Sequence, residues 1–349
     1  MEVTLCCRQL RFAILWLLKV RVIEASLTKD VLVRLSLMRA FPNKILQWLI
    51  ISCVFCLPRG LAAESKQSDE ALRDSLKVSW VNGVELHYLE RGRGEVVVFV
   101  HGGLGDYREW APAIGPFSQR YRVVAYSRRY DYPNTNPKMT DYSAVTDAKD
   151  LAGLLNVLRL RRVHLVAYSY GALGSLIYAT QHPGRVHTLI LAEPPVFKWL
   201  PEIPGGKAQL NHFMTALWKP AGEAFRRDRS EEALRITSDY FGGRGSYSAL
   251  PAEIRNRLIS DLPEWRALMT SAMPFPMADR SLVKRLKVPV LLITGEKTLP
   301  EMRTSTYELS RILPDAKLVV IPGARHDMWI QASDTCLDAA LEFIAAHEQ

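Results

Sequence analysis

The chain has 349 residues, 48% apolar and 23% charged, with a formal net charge of +9. That balance belongs to a folded globular protein and excludes an intrinsically disordered one. The charge is uneven: residues 1–63 hold nine Lys/Arg against three acids, and the other 286 hold 36 against 33. The body is close to neutral and has no basic block interleaved with aromatics, so no nucleic-acid partner is expected.

The segment Met38-Arg39-Ala40-Phe41-Pro42-Asn43-Lys44 makes a short positive region; an apolar run at 45–57 follows, and Pro58-Arg59-Gly60-Leu61-Ala62-Ala63 closes it. This is the pattern of a secretory signal peptide over about residues 38–63, cleaved after Ala62 or Ala63, and it predicts an exported protein, periplasmic or secreted. The apolar run is shorter than the roughly 20 residues of a membrane span. Left uncleaved, the leader would instead associate the protein with a membrane. Residues 1–37 lie outside that signal and read as a gene-model extension upstream of Met38. Four of the five cysteines (Cys6, Cys7, Cys53, Cys56) fall in the leader, so Cys336 has no partner for a disulfide within the body. No Cys/His cluster has metal-ligand spacing, and neither a metal nor a cofactor is expected.

Residues 64–77 are polar and read as a linker. A hairpin follows at 78–89 around Asn82-Gly83, the strongest two-residue turn signal. The run 95–100 is continuously apolar, as a strand buried on both faces requires, and ends in His101-Gly102-Gly103-Leu104-Gly105-Asp106. Strands are predicted at 122–126 and 163–168, with helical spacing at 143–160 between them. Further strands read at 187–192, ending in Glu193-Pro194-Pro195; at 288–294, ending in Gly295-Glu296; and at 317–321, ending in Pro322-Gly323-Ala324-Arg325-His326. An amphipathic helix at 334–346 closes the chain. Eight strands alternating with helices predict an α/β fold, a mostly parallel sheet covered on both faces. The interval 195–281 breaks the alternation. It shows helical patterns at 209–218, 230–241, 252–261 and 263–271 separated by Gly/Pro-rich breaks, and reads as a helical cap inserted between core segments 78–194 and 282–349.

Chemistry concentrates at the strand exits. Ser169 stands in Ala167-Tyr168-Ser169-Tyr170-Gly171, between an apolar strand and a helical pattern, with small residues two places to either side. A tight strand–turn–helix elbow that exposes a nucleophile needs this arrangement. His326, after the last strand, is placed to take the proton of Ser169 Oγ. The glycines of His101-Gly102-Gly103 let main-chain N–H groups approach an oxyanion, which Gly103 or Leu104 would bind together with the N–H of Tyr170. Arg128 and Arg129 follow the fourth strand; a structural role outweighs contact with an anionic substrate. Tyr168 and Tyr170 read first as packing residues. Trp199, Phe213 and Trp218 are placed either to line an acyl pocket or to form the core of the cap, and Trp110 is equally open.

The order of strand-His-Gly-Gly, Ala-Tyr-Ser-Tyr-Gly, cap and Gly-Ala-Arg-His resembles the α/β-hydrolase fold superfamily over about residues 78–347. The stretches Gly105-Asp106-Tyr107-Arg108-Glu109-Trp110 and Ala125-Tyr126-Ser127-Arg128-Arg129-Tyr130 resemble a bacterial branch of it. The resemblance implies Ser169 as nucleophile and His326 as base. The superfamily's usual acid lies about three residues past the glycine that ends the penultimate strand, and Thr298 occupies that place here. Some members carry instead a Glu directly after the strand preceding the cap, the position of Glu193. Glu193 is thus the first candidate, with Glu296 and Glu301 as alternatives. The implied activity is that of a cofactor-free serine hydrolase cleaving an ester or related carbonyl bond of a small molecule through an acyl-enzyme, carboxylesterase or lactonase first. C–C hydrolase or perhydrolase chemistry, or ligand binding on a hydrolase scaffold with little turnover, are the alternatives.

Overall fold

Eight strands form one sheet: β1 (Lys77–Val81), β2 (Val84–Arg91), β3 (Val96–Val100), β4 (Arg122–Tyr126), β5 (Val163–Tyr168), β6 (Val186–Ala192), β7 (Val290–Gly295) and β8 (Ala316–Ile321). They lie in the order β1-β2-β4-β3-β5-β6-β7-β8. β1 and β2 pair antiparallel, as do β2 and β4, and every other pair is parallel. The computed structural model describes residues 75–348. The leader, the upstream extension and nearly all of the linker lie outside the described residues.

The central strands have no polar face. Val97, Val98 and Phe99 of β3 are each 0% exposed, so the strand reads as a continuous apolar run rather than an alternating one. Helices Ala144–Val157 and Ser169–Gln181 cover one face through Leu151, Leu154, Leu173 and Leu176. Helices Ala111–Ser118 and Ser333–Ala345 cover the other through Ile114, Phe117, Leu337 and Ile344. Trp110 packs on this second face, 4.8 Å from Phe99 and 5.1 Å from Trp329 between ring centroids, and belongs to the core.

Two features of the topology position a site. β4 and β5 flank β3 on opposite sides, so the strand order reverses there and opens a crevice at the carboxyl ends of the strands. Between β6 and β7 the chain leaves the sheet and forms helices Gly206–Phe213, Lys219–Arg226, Ser230–Gly242, Ala252–Ser260 and Leu262–Thr270, with no strand among them. The pattern expected at 209–218 is one helix passing into a π-helical turn at Met214–Trp218. Helix Lys219–Arg226 was not expected from the sequence. Half of it is buried (Ala221, Gly222, Ala224 and Phe225), but Pro220 and Gly222 read locally as helix breakers, and it continues directly from the π-helical turn.

Candidate active site

Ser169 is the first residue of its helix and directly follows β5, whose six residues are all buried. Its φ of 48° lies in the left-handed region. That conformation costs a non-glycine residue about 1–2 kcal/mol, held here by the packing on both sides. Gly171 shows why the elbow needs a small residue: a Cβ there would sit 2.2 Å from the His101 carbonyl oxygen and 2.9 Å from Val100 Cγ1. The start of the helix therefore lies directly on the exit of β3, bringing the serine beside the glycine turn.

His326 is only 8% exposed, and Nε2 lies 2.9 Å from Ser169 Oγ. On the other side of the ring, Nδ1 lies 2.5 Å from Glu193 Oε2. Two more contacts orient the imidazole: the Tyr168 hydroxyl donates to the His326 carbonyl at 2.9 Å, and the Phe241 ring stacks on it at 5.1 Å and 20°. Glu193 follows the last residue of β6 with a φ of 48°, also left-handed, and is 0% exposed. Oε1 accepts from the Thr294 hydroxyl at 2.7 Å and from the Gly295 N–H at 2.9 Å, and Oε2 accepts from the Thr298 hydroxyl at 2.7 Å. With His326 the carboxylate makes four hydrogen bonds, which compensate the cost of burying its charge. Thr298 thus holds a carboxylate that comes from the end of the neighbouring strand. The other candidates go elsewhere. Glu296 accepts from the Gly323 N–H at 2.7 Å and is exposed, and Glu301 accepts from the Tyr240 hydroxyl at 2.5 Å.

The glycine turn is clamped from three directions. The Gly102 N–H donates to Glu109 Oε2 at 3.1 Å, and the Gly102 carbonyl accepts from Arg128 Nη2 and from His101 Nδ1, each at 2.9 Å. His101 Nε2 accepts from the Arg128 N–H at 2.9 Å, and burial followed by the Arg128 charge holds the imidazole well below its ordinary pKa. The neutral ring thus keeps its proton on Nδ1. In a trans peptide the C=O and the following N–H point in opposite directions. Anchoring the Gly102 carbonyl on Arg128 therefore turns the Gly103 N–H the other way, and Gly103 lines the cavity with Ser169 and Tyr170. The Tyr170 N–H belongs to the first helical turn, where N–H groups have no carbonyl partner within the helix. The Leu104 N–H is engaged, donating to Glu264 Oε2 at 3.3 Å.

Arg128 is buried and makes a structural hub rather than a substrate contact. It donates to Asp147 Oδ2 and to Glu264 Oε1, each at 2.7 Å, and to the Tyr142 hydroxyl at 3.1 Å. Glu264 comes from helix Leu262–Thr270, so one carboxylate joins that helix to both Arg128 and the glycine turn. Arg129 pairs twice with Asp150 at 2.7 Å, away from the serine. Sequence reasoning missed Glu264 and its neighbour Trp265, whose ring covers Gly103 so closely that a Cβ there would sit 2.6 Å from it. It also missed Glu109. Nothing in the local sequence distinguishes these residues from an ordinary amphipathic helix or turn.

Above the serine lies a cavity of about 360 Å³ between the sheet edge and the cap. Its walls are mostly apolar and include Phe197, Phe213, Phe241, Trp265, Phe275 and Met302. Of the aromatics considered from sequence, Phe213 lines it, as do Tyr168 and Tyr170. Trp218 stands behind Phe213 at 5.5 Å. Trp199 is 0% exposed, with its indole N–H donating to the Ala278 carbonyl at 2.8 Å, and belongs to the core of the cap.

Comparison with known proteins agrees with this architecture. The model of the "Alpha/beta hydrolase family" matches residues 97–339. The 2-hydroxy-6-oxononadienedioate/2-hydroxy-6-oxononatrienedioate hydrolase of Comamonas testosteroni is 31% identical, over 76% of this chain and 93% of its own. The 2-(acetamidomethylene)succinate hydrolase of Mesorhizobium japonicum is 26% identical, over 76% of this chain and 94% of its own. Among solved structures, the enol-lactonase of Burkholderia xenovorans superposes with a TM-score of 0.63 at 22% identity, covering 77% of this chain and all of that one, a likeness of fold. The matched sequence and the sheet order with its serine elbow lead to one conclusion: the chain belongs to the α/β-hydrolase family.

Proposed function

We propose that the protein is a serine hydrolase that cleaves an ester or lactone of a small molecule through an acyl-enzyme. The observation that carries this reading is the bridge made by His326, 2.9 Å from Ser169 Oγ on one side and 2.5 Å from Glu193 Oε2 on the other. With Nδ1–H donating to Glu193, Nε2 is free to accept the Ser169 proton as Oγ attacks the carbonyl carbon. Glu193 stabilises the imidazolium that forms. The N–H groups of Gly103 and Tyr170 receive the oxyanion, and the positive end of helix Ser169–Gln181 favours the same charge. His326 then protonates the leaving group, and water, deprotonated by the same ring, releases the acid. Ligand binding without turnover has less support, because the bridge is fully hydrogen-bonded and the serine opens onto a cavity.

The test is release of p-nitrophenol from p-nitrophenyl esters together with labelling by a fluorophosphonate, both abolished in Ser169→Ala. Absence of both in the folded wild-type protein would refute the reading. A second reading, hydrolysis of a C–C bond, is favoured by the 31% identical relative named for a dioate and would use the same residues. Export through the 38–63 segment is also proposed, on the positive, apolar and small-residue order of that segment. N-terminal sequencing of the protein from its host should find a chain beginning at Ala63 or Glu64, and a peptide spanning residues 60–66 would oppose it.

A further inference from the structure

The charges around the cavity are one-sided. Among the described residues that line it, none is Lys or Arg, whereas two are acidic, Glu109 and Asp327. The nearby guanidinium groups are not wall residues and have other contacts, Arg325 from the rim of the cavity. Arg325 donates to the Gly242 carbonyl at 2.7 Å, Arg255 lies over the Tyr247 ring at 5.0 Å, and Arg128 is buried on Asp147 and Glu264. The one titratable base in the wall, His326, is already engaged by Glu193 and Ser169. Glu109 is held at the serine end of the cavity by the Gly102 N–H. A carboxylate entering this space would meet apolar walls and like charge, with no Lys or Arg among the described wall residues to pair with.

Resting on the serine-hydrolase reading, we propose that the site takes a neutral, apolar ester or lactone and excludes carboxylate-bearing substrates, with the acidic lining and the lack of a cationic wall residue enforcing the choice. This separates the protein from the relatives named above for a dioate and a succinate. Desolvating an unpaired carboxylate in such a cavity lowers kcat/KM by about 100-fold or more.

The experiment compares p-nitrophenyl hexanoate with its ω-carboxylate counterpart, mono-p-nitrophenyl adipate, on the wild-type protein and on Ile254→Arg. Both are assayed at about pH 8, where the adipate carboxyl and Glu109, which burial raises to about 7, are ionised. Ile254 lines the cavity from helix Ala252–Ser260 and is 40% exposed, so an arginine there can reach the cavity without entering the core. We expect the hexanoate to be preferred by about 100-fold, and the preference to shrink at least about tenfold in Ile254→Arg. Adipate turnover within about threefold of hexanoate in the wild type would overturn the inference and leave the serine-hydrolase reading intact. If neither ester is cleaved and Ser169 resists fluorophosphonate, the underlying reading fails and the inference with it.

Discussion

Glu193→Gln is the sharpest test of the relay. The amide oxygen can keep the hydrogen bonds from Thr294 and Gly295, but the amide NH2 then faces the Thr298 hydroxyl and His326 Nδ1. To accept from that NH2, Nδ1 must lose its hydrogen, which moves to Nε2. A protonated Nε2 lies 2.9 Å from Ser169 Oγ and cannot take its proton. The equivalent acid-to-amide change in a serine-protease triad costs about 10⁴ in kcat, or about 5.5 kcal/mol of transition-state stabilisation. The same order is expected here. Glu193 does not line the cavity, so KM should move little. The assay is steady-state release of p-nitrophenol, with Ser169→Ala as the floor and a thermal melt to establish folding. Glu296→Gln is the control; its exposed carboxylate contacts the Gly323 N–H rather than the histidine, and kcat should stay within about threefold. A folded Glu193→Gln retaining more than about a tenth of wild-type kcat would refute the assignment.

Three further outcomes follow from named contacts. Glu264→Gln removes a charged partner from buried Arg128 while Asp147 remains, which should cost about 1.5–3 kcal/mol of stability. Because the same carboxylate steadies the Gly102–Leu104 turn, kcat should also fall about tenfold with KM little changed, less than deletion of an oxyanion donor would cost; a change in KM alone would argue against it. Gly171→Ala forces a Cβ to within 2.2 Å of the His101 carbonyl oxygen, and denaturant unfolding should show a loss of about 3 kcal/mol. Burial raises Glu109 from its ordinary 4.5 to about 7. The native state therefore holds a proton that the unfolded chain releases, and stability should fall as pH rises from 4.5 to about 7. Glu109→Gln should flatten that slope, measured as denaturation midpoints at several pH values; an unchanged slope would refute it.

Most of the fold was legible because its signals are local. Continuous apolar runs marked the buried parallel strands, Asn82-Gly83 marked the hairpin, and Gly/Pro breaks separated the helices inserted between β6 and β7. Helix Lys219–Arg226 escaped because Pro220 and Gly222 read locally as a break, although half of the helix is buried. The site was legible in the same proportion. Ser169 and His326 stand at strand exits whose turn chemistry can be read from a few residues. Arg128 and the aromatics could not be assigned that way, since an arginine after a strand or a tryptophan in a helix has the same sequence context whether it faces a substrate or a core.

The sequence by itself determined the strand pattern, the elbow at Ser169 and the glycine turn at Gly102–Gly103, because periodicity and backbone sterics act over a few neighbouring residues. Only the tertiary structure decided which carboxylate meets His326. Glu193, Glu296 and Glu301 are similar in type and differ in which strand end they share. The adjacency of β6 and β7 puts Thr294, Gly295 and Thr298 around Glu193 and turns Glu296 toward Gly323. The tertiary structure alone also brought Glu264 to Leu104 across 160 residues of sequence, because docking of the cap, rather than any local pattern, sets that distance.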